Sequence, residues 1–164
     1  MDVSTGQVSI PRKKVCTIQD AIEYFSDAGR CVEFVASHRW PDGIVRCPYC
    51  SSTKVRFLAT RGLWECATSH PRSQFSVRSS TLFEDSHISL RDWLVAIWLV
   101  ANSRSPVSSY QLSAHLEITQ KSAWFMLRRI GVTLELLGSS VPGVNQDLYG
   151  SPFRSRSRAD RRSA

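Results

Sequence analysis

The run Cys47-Pro48-Tyr49-Cys50 constrains this chain more than any other feature in it. Two thiols separated by two residues, with a proline between them and Arg46 and Ser51-Ser52 on either side, favour a knuckle turn that offers both sulfurs to one ion. After fifteen intervening residues comes Cys66, and after three more intervening residues stands His70. Such spacing suits a β-hairpin that brings a second short loop to face the first. Cys47, Cys50, Cys66 and His70 together give the four soft or imidazole donors of a tetrahedral zinc site, with His87 or a water as the alternatives for the fourth corner. Four protein ligands leave no open position for substrate water, so a single zinc ion is expected to be structural. It would replace the hydrophobic core that roughly forty residues cannot build alone. Cys16 and Cys31 lie outside this pattern, and Cys31, on an apolar helical face, reads as a small buried hydrophobe.

Around the cysteines the chain divides by pattern. Residues 1–16 are polar with a basic cluster at Arg12-Lys13-Lys14 and read as a flexible arm. Residues 17–43 read as two helices. Thr17 is suited to N-cap the first, Gly29 to stop it, and the second carries Cys31, Phe34 and Val35 on one face until Pro41 ends it. Residues 44–86 change to short strand-type segments, Lys54 to Thr60, Leu63 to Cys66 and Gln74 to Val77, with a two-residue Arg61-Gly62 hairpin turn. Residues 87–137 return to helix. A strongly apolar stretch around Trp93 and Trp98 should be the buried centre, followed by a short helix from Ser109 to about Leu116 and a turn at Glu117-Ile118-Thr119. The last helix starts from Thr119 as N-cap, with Ala123, Trp124, Met126, Leu127 and Ile130 as its apolar stripe. Residues 138–164, rich in Arg and Ser, show no period and read as a disordered tail. The fold class expected is α+β, mostly α: small zinc-ribbon hairpins preceded by N-terminal helices and followed by a three-helix unit.

Charge narrows the partner. The net charge of +7 favours a polyanion, although residues 151–164, with five arginines and one aspartate, supply +4 of it. The longest apolar run, Trp93 to Ala101, is far shorter than the roughly 20 residues that span a bilayer. No secretory signal pattern is seen in the first residues either, so a soluble cytoplasmic protein without a membrane partner is expected. Two short helices joined by a tight turn and backed by an apolar helix can lay the second helix in the major groove of double-stranded DNA. On that arrangement Thr119, Gln120, Lys121 and Ser122 reach base edges and phosphates, and Arg128 and Arg129 hold the backbone. Any three-helix bundle also places polar residues at helix starts, so the pattern alone does not separate DNA readout from packing.

Five blocks in order carry a resemblance: Arg39-Trp40-Pro41-Asp42-Gly43, Cys47-Pro48-Tyr49-Cys50, Gln74-Phe75-Ser76-Val77, Thr81-Leu82-Phe83-Glu84-Asp85-Ser86 and Ala123-Trp124-Phe125-Met126-Leu127. Over about Thr17 to Ile130 the chain resembles the N-terminal half of zinc-ribbon insertion-sequence transposases. The resemblance implies a zinc ribbon and helix-turn-helix that bind the element's terminal repeats, with Cys47, Cys50 and Cys66 on the metal. Two departures stand out. The second ligand pair in such proteins is often Cys-x2-Cys, where this chain has Cys66 and His70, and many relatives have glycine where Ser80 stands. A ribonuclease-H-like domain with three metal-binding acidic residues should follow, yet after Ile130 only Glu135, Asp147 and Asp160 remain. The resemblance therefore predicts a non-catalytic, truncated copy that does not cut DNA. Two other readings stay open: a transposase active with a catalytic domain in trans, and a zinc-ribbon module for protein or RNA. A homo-oligomer or a complex with a full-length transposase fits the first two.

Overall fold

The computed structural model describes residues 17–136; the segments read as an arm, 1–16, and as a tail, 138–164, lie outside them. The described residues form five helices and a three-stranded antiparallel sheet: α1 Ile18–Tyr24, α2 Ala28–Arg39, β1 Val55–Leu58, β2 Leu63–Cys66, β3 Gln74–Phe75, α3 Leu90–Asn102, α4 Ser109–Leu116 and α5 Gln120–Leu136. The architecture is α+β and mostly helical, as composition and periodicity predict.

Local chemistry sets the helix ends. Thr17 Oγ1 accepts from the Asp20 N–H at 3.2 Å while Asp20 accepts from the Thr17 N–H at 3.0 Å, a reciprocal capping box. The first helix then stops at Phe25, well before Gly29. Asp27 explains the difference: its carboxylate accepts from the Arg30 N–H at 2.6 Å and starts α2, so Gly29 falls inside a first turn instead of closing a last one. Ser108 and Gln111 form a second capping box at α4, and Thr119 accepts from the Ser122 N–H at 3.1 Å to cap α5. Between those helices Glu117 closes α4 in the left-handed region, at φ 54°.

The helix α3 is the hub. α1, α2 and α5 all pack on it, and α4 packs on α5. Trp93, Val95 and Ala96 are fully buried there, and Trp93 Nε1 donates to Ser86 Oγ at 3.0 Å, which satisfies the indole. The remaining core joins Leu112 of α4 to Ala123, Met126, Leu127 and Ile130 of α5. On the ribbon side the strands run in the order β1-β2-β3, with Phe57 opposite Trp64 and Trp64 opposite Phe75. The β1–β2 connection is four residues, Ala59 to Gly62, longer than the two-residue Arg61-Gly62 turn expected. Leu58 and Leu63 pair directly, and Gly62 adopts φ 62° to turn the chain.

Three arginines bind backbone carbonyls of the connector that follows β3, two from helices and one from the connector itself. Arg39 at the end of α2 donates to Val77 O at 2.8 Å. Arg78 donates to Ser86 O and Ile88 O at 2.7 and 2.8 Å, and Arg129 of α5 donates to Leu82 O and Glu84 O at 3.0 and 2.7 Å. Charged donors of fork geometry satisfy carbonyls that an irregular connector would otherwise leave unpaired.

Candidate metal centre

The knuckle is built by backbone bonds. Ser51 N–H donates to Cys47 O and Cys47 N–H donates to Ser52 O, both at 2.9 Å, and Ser51 takes φ 58° to close the turn. Opposite it, Cys66 ends β2, its N–H donating to Ser73 O at 2.7 Å, while Ala67 N–H donates back to Lys54 O at 2.8 Å. The hairpin thus carries Cys66 and the loop to His70 over the knuckle.

All four expected ligands converge. The donor atoms of Cys47, Cys50, Cys66 and His70 lie within 4.8 Å of one another. Cys47 Sγ is 3.5 Å from His70 Nε2, and Cys50 Sγ is 3.5 Å from Cys66 Sγ. Zinc bonds of about 2.0 to 2.3 Å imply tetrahedron edges of roughly 3.3 to 3.8 Å, so both distances are those of two donors on one ion. The three sulfurs and one imidazole fit one structural zinc ion. His87, the alternative for the fourth corner, is exposed and outside the cluster.

Electrostatics agree with thiolate ligation. Burial pushes the Cys66 thiol up, but hydrogen bonds from His70, Thr68 and Cys50 outweigh it and bring it down to about 6. Cys50 is helped downward by the Ser52 backbone, yet removal from water and the neighbouring Cys66 and Cys47 sulfurs carry it upward overall. One thiolate is therefore favoured at Cys66, with its proton-bearing neighbour beside it, and a divalent ion would displace that remaining proton. Tyr49 stacks towards His70 at 6.0 Å, and its hydroxyl donates to Glu84 at 3.5 Å, which ties the knuckle to the connector. Cys31 stands apart from this chemistry. It is fully buried, its thiol donates to Phe25 O at 3.2 Å, and burial pushes its pKa up, as for a packed hydrophobe.

The residues expected at DNA lie on α5 and at its N-cap, Thr119, on a different element from the metal ligands. Lys121 is exposed. Thr119 and Ser122 hydroxyls bond each other at 2.8 Å, and Gln120 Nε2 donates to Ser109 Oγ at 2.7 Å, so this first turn is held to the start of α4. The adjacent arginines diverge. Arg128 lies 5.4 Å over the Trp124 ring, whereas Arg129 lies 5.0 Å over Phe125 with NH1 on the connector carbonyls. Trp124, expected in the buried stripe, is 37% exposed, and Gly131 is buried in α5 with the rest of that stripe. Sequence reasoning also gave no role to Phe57, whose 54% exposure leaves an aromatic face on a hairpin that also carries the exposed Lys54 and Arg61, while Arg56 is paired with Glu65.

Comparison with known proteins follows the same outline. Residues 26–68 match the family model of the transposase zinc-ribbon domain, a segment that holds α2, the knuckle and Cys66 and ends two residues before His70. An uncharacterised protein in the transposable element ISH50 of Halobacterium salinarum is 27% identical over 109 residues, 66% of this chain and 36% of that protein. The chain thus spans about a third of the length of that relative. No solved structure matches it. Among the described residues no helix is long and apolar enough to cross a membrane. The matched segment is similar to the transposase zinc-ribbon domain, and its three cysteines, with His70 just beyond it, fit one structural zinc ion.

Proposed function

We propose that residues 17–136 are a DNA-binding unit of a transposase-related protein, in which the zinc ribbon and α3–α5 together recognise the ends of a mobile element. In this reading α4, the turn Glu117–Thr119 and α5 are a helix-turn-helix. The first turn of α5 enters the major groove, with Thr119, Gln120, Lys121 and Ser122 at base edges and phosphates and Arg128 on the backbone. The observation that carries it is the exposed, polar first turn of α5, braced from behind by the Gln120–Ser109 bond and by packing of α4 on α5. Arg129 contributes less to this surface, because its NH1 is committed to Leu82 and Glu84 carbonyls. The zinc ion has a folding role, and no strand cleavage is assigned to these residues.

The test is zinc stoichiometry measured together with salt-dependent binding to a labelled duplex. One zinc per chain and a slope of log Kd against log salt that drops by about one on Lys121→Ala would support the reading. A zinc-loaded chain whose duplex affinity is untouched by Lys121→Ala would oppose it. A second reading rests on the exposed Phe57 and on Lys54 and Arg61 of the same hairpin, which suit stacking of unpaired bases. Tighter binding to single-stranded RNA than to duplex, lost on Phe57→Ala, would favour that reading instead.

A further inference from the structure

The outward face of α5 does not end at its first turn. At about 100° per residue, Lys121, Trp124 and Arg128 fall within an arc of about 60° on the side opposite Ala123, Met126, Leu127 and Ile130. A groove of about 340 Å³ opens beside this arc, lined by Trp124, Phe125, Arg128, Val132 and Leu82. The Trp124 indole stands 37% exposed on this face. The Arg128 guanidinium lies 5.4 Å over the Trp124 ring, and among the described residues no carboxylate lies within ion-pair distance of it. Stacking on a ring occupies the face of a guanidinium and leaves its N–H edge free. The adjacent Arg129 is stacked likewise, 5.0 Å over the Phe125 ring, but its donors turn inward to two carbonyls.

From this contrast we infer that Trp124 is a positioning residue for nucleic-acid binding: it holds Arg128 edge-outward, so that the guanidinium fork meets a phosphate or a guanine beyond the reach of the α5 first turn. The occupant of the arc is duplex DNA. Two cations, Lys121 and Arg128, flank the indole, and a polyanion complements them. This inference rests on the DNA-binding reading above and adds a residue to it that carries no charge itself.

The experiment is a double-mutant cycle on the full chain, Trp124→Ala and Arg128→Ala singly and together, with Trp124→Phe as the conservative variant. Each protein is titrated into a fluorescein-labelled mixed-sequence duplex at several salt concentrations, after zinc content and thermal unfolding show it folded. Trp124→Ala should weaken binding by about two- to fivefold, the range of a cation–π contact, and Trp124→Phe should weaken it less. Trp124→Ala should also lower the salt slope although no charge is removed, and add nothing in the Arg128→Ala background. A purely structural indole would move stability and leave the slope unchanged. Binding that is indifferent to Trp124→Ala, or an equal loss with and without Arg128, overturns this inference alone. A change of oligomeric state on Trp124→Ala with duplex affinity unchanged overturns it in favour of a second copy on this face. Absence of duplex affinity in the unmodified chain defeats the DNA-binding reading and this inference with it.

Discussion

Two adjacent arginines of α5 should give opposite results when each is changed to methionine, which keeps most of the aliphatic stem and removes the charge. Arg129 NH1 donates to Leu82 O at 3.0 Å and Glu84 O at 2.7 Å, both part-buried bonds that span more than forty residues of sequence. Hydrogen bonds from a charged donor contribute about 1.5 to 3 kcal/mol each where solvent is excluded, and partial exposure lowers that. Arg129→Met also leaves two connector carbonyls short of a partner. A combined loss of about 2 to 3 kcal/mol follows, or roughly 8 to 15 °C in Tm for a domain of this size. Arg128 has only the Trp124 ring beneath it, so Arg128→Met should cost at most about 1 kcal/mol, the range of an exposed cation–π contact. Urea unfolding of both variants at saturating zinc, with zinc content checked, measures the difference directly. Equal destabilisation by the two substitutions would refute the assignment of Arg129 to the ribbon–helix junction.

The remaining predictions test the metal centre and the backbone. Cys47→Ser should abolish stoichiometric zinc, and hydrogen exchange should then show Val55–Cys66 losing protection ahead of α3, because β2 ends on the metal ligand Cys66. Ser80 is exposed at φ 57°, where a side chain costs about 1 to 2 kcal/mol; Ser80→Gly removes that but adds unfolded-state entropy, for a net gain of about 0.5 to 1 kcal/mol by thermal melting. An unchanged or lower Tm would mean that Ser80 is not strained. Since the Cys66 thiol is lowered to about 6 from 9.0, its thiolate persists above that pH and is lost as pH falls through it. Zinc affinity should therefore fall as pH drops, because protons compete with the metal for Cys66 and its neighbours, and an affinity unchanged between about pH 7 and pH 5 by chelator competition would contradict thiolate ligation.

What could be read from the sequence was local. Thr17 and Thr119 cap helices because each hydroxyl reaches the N–H three residues on, a contact that nearby sequence alone decides. The four metal ligands were legible for a related reason: their spacing encodes a knuckle and a hairpin, and few other arrangements satisfy two thiols that close together. Gly29 misled because Asp27, two residues earlier, starts a new helix, and a carboxylate cap outweighs the weak helix-breaking tendency of one glycine. The length of the hairpin turn was missed because pairing of Leu58 with Leu63 is decided by how the strands meet, which no dipeptide encodes.

Trp124 and Arg129 show where local reading ends. Periodicity puts Trp124 close enough to the apolar stripe of α5 to be counted in it, yet the stripe is only as wide as the surface that covers it. Here α3 and α4 cover Ala123, Met126, Leu127, Ile130 and Gly131 and leave the indole in solvent. Arg129 is drawn inward by carbonyls at Leu82 and Glu84, whose positions depend on how the connector crosses α5. Two arginines identical in sequence context thus acquire different work from tertiary packing: one holds the ribbon to the helices, and the other is left on a tryptophan at the surface. The ribbon can then act on α5 without touching nucleic acid, because anything that unfolds the metal centre also releases the connector to which Arg129 is bound. Loss of zinc should for this reason weaken duplex binding even where every contact to DNA is made by α5, and duplex affinity that survives chelation unchanged would show that the junction carries no such coupling.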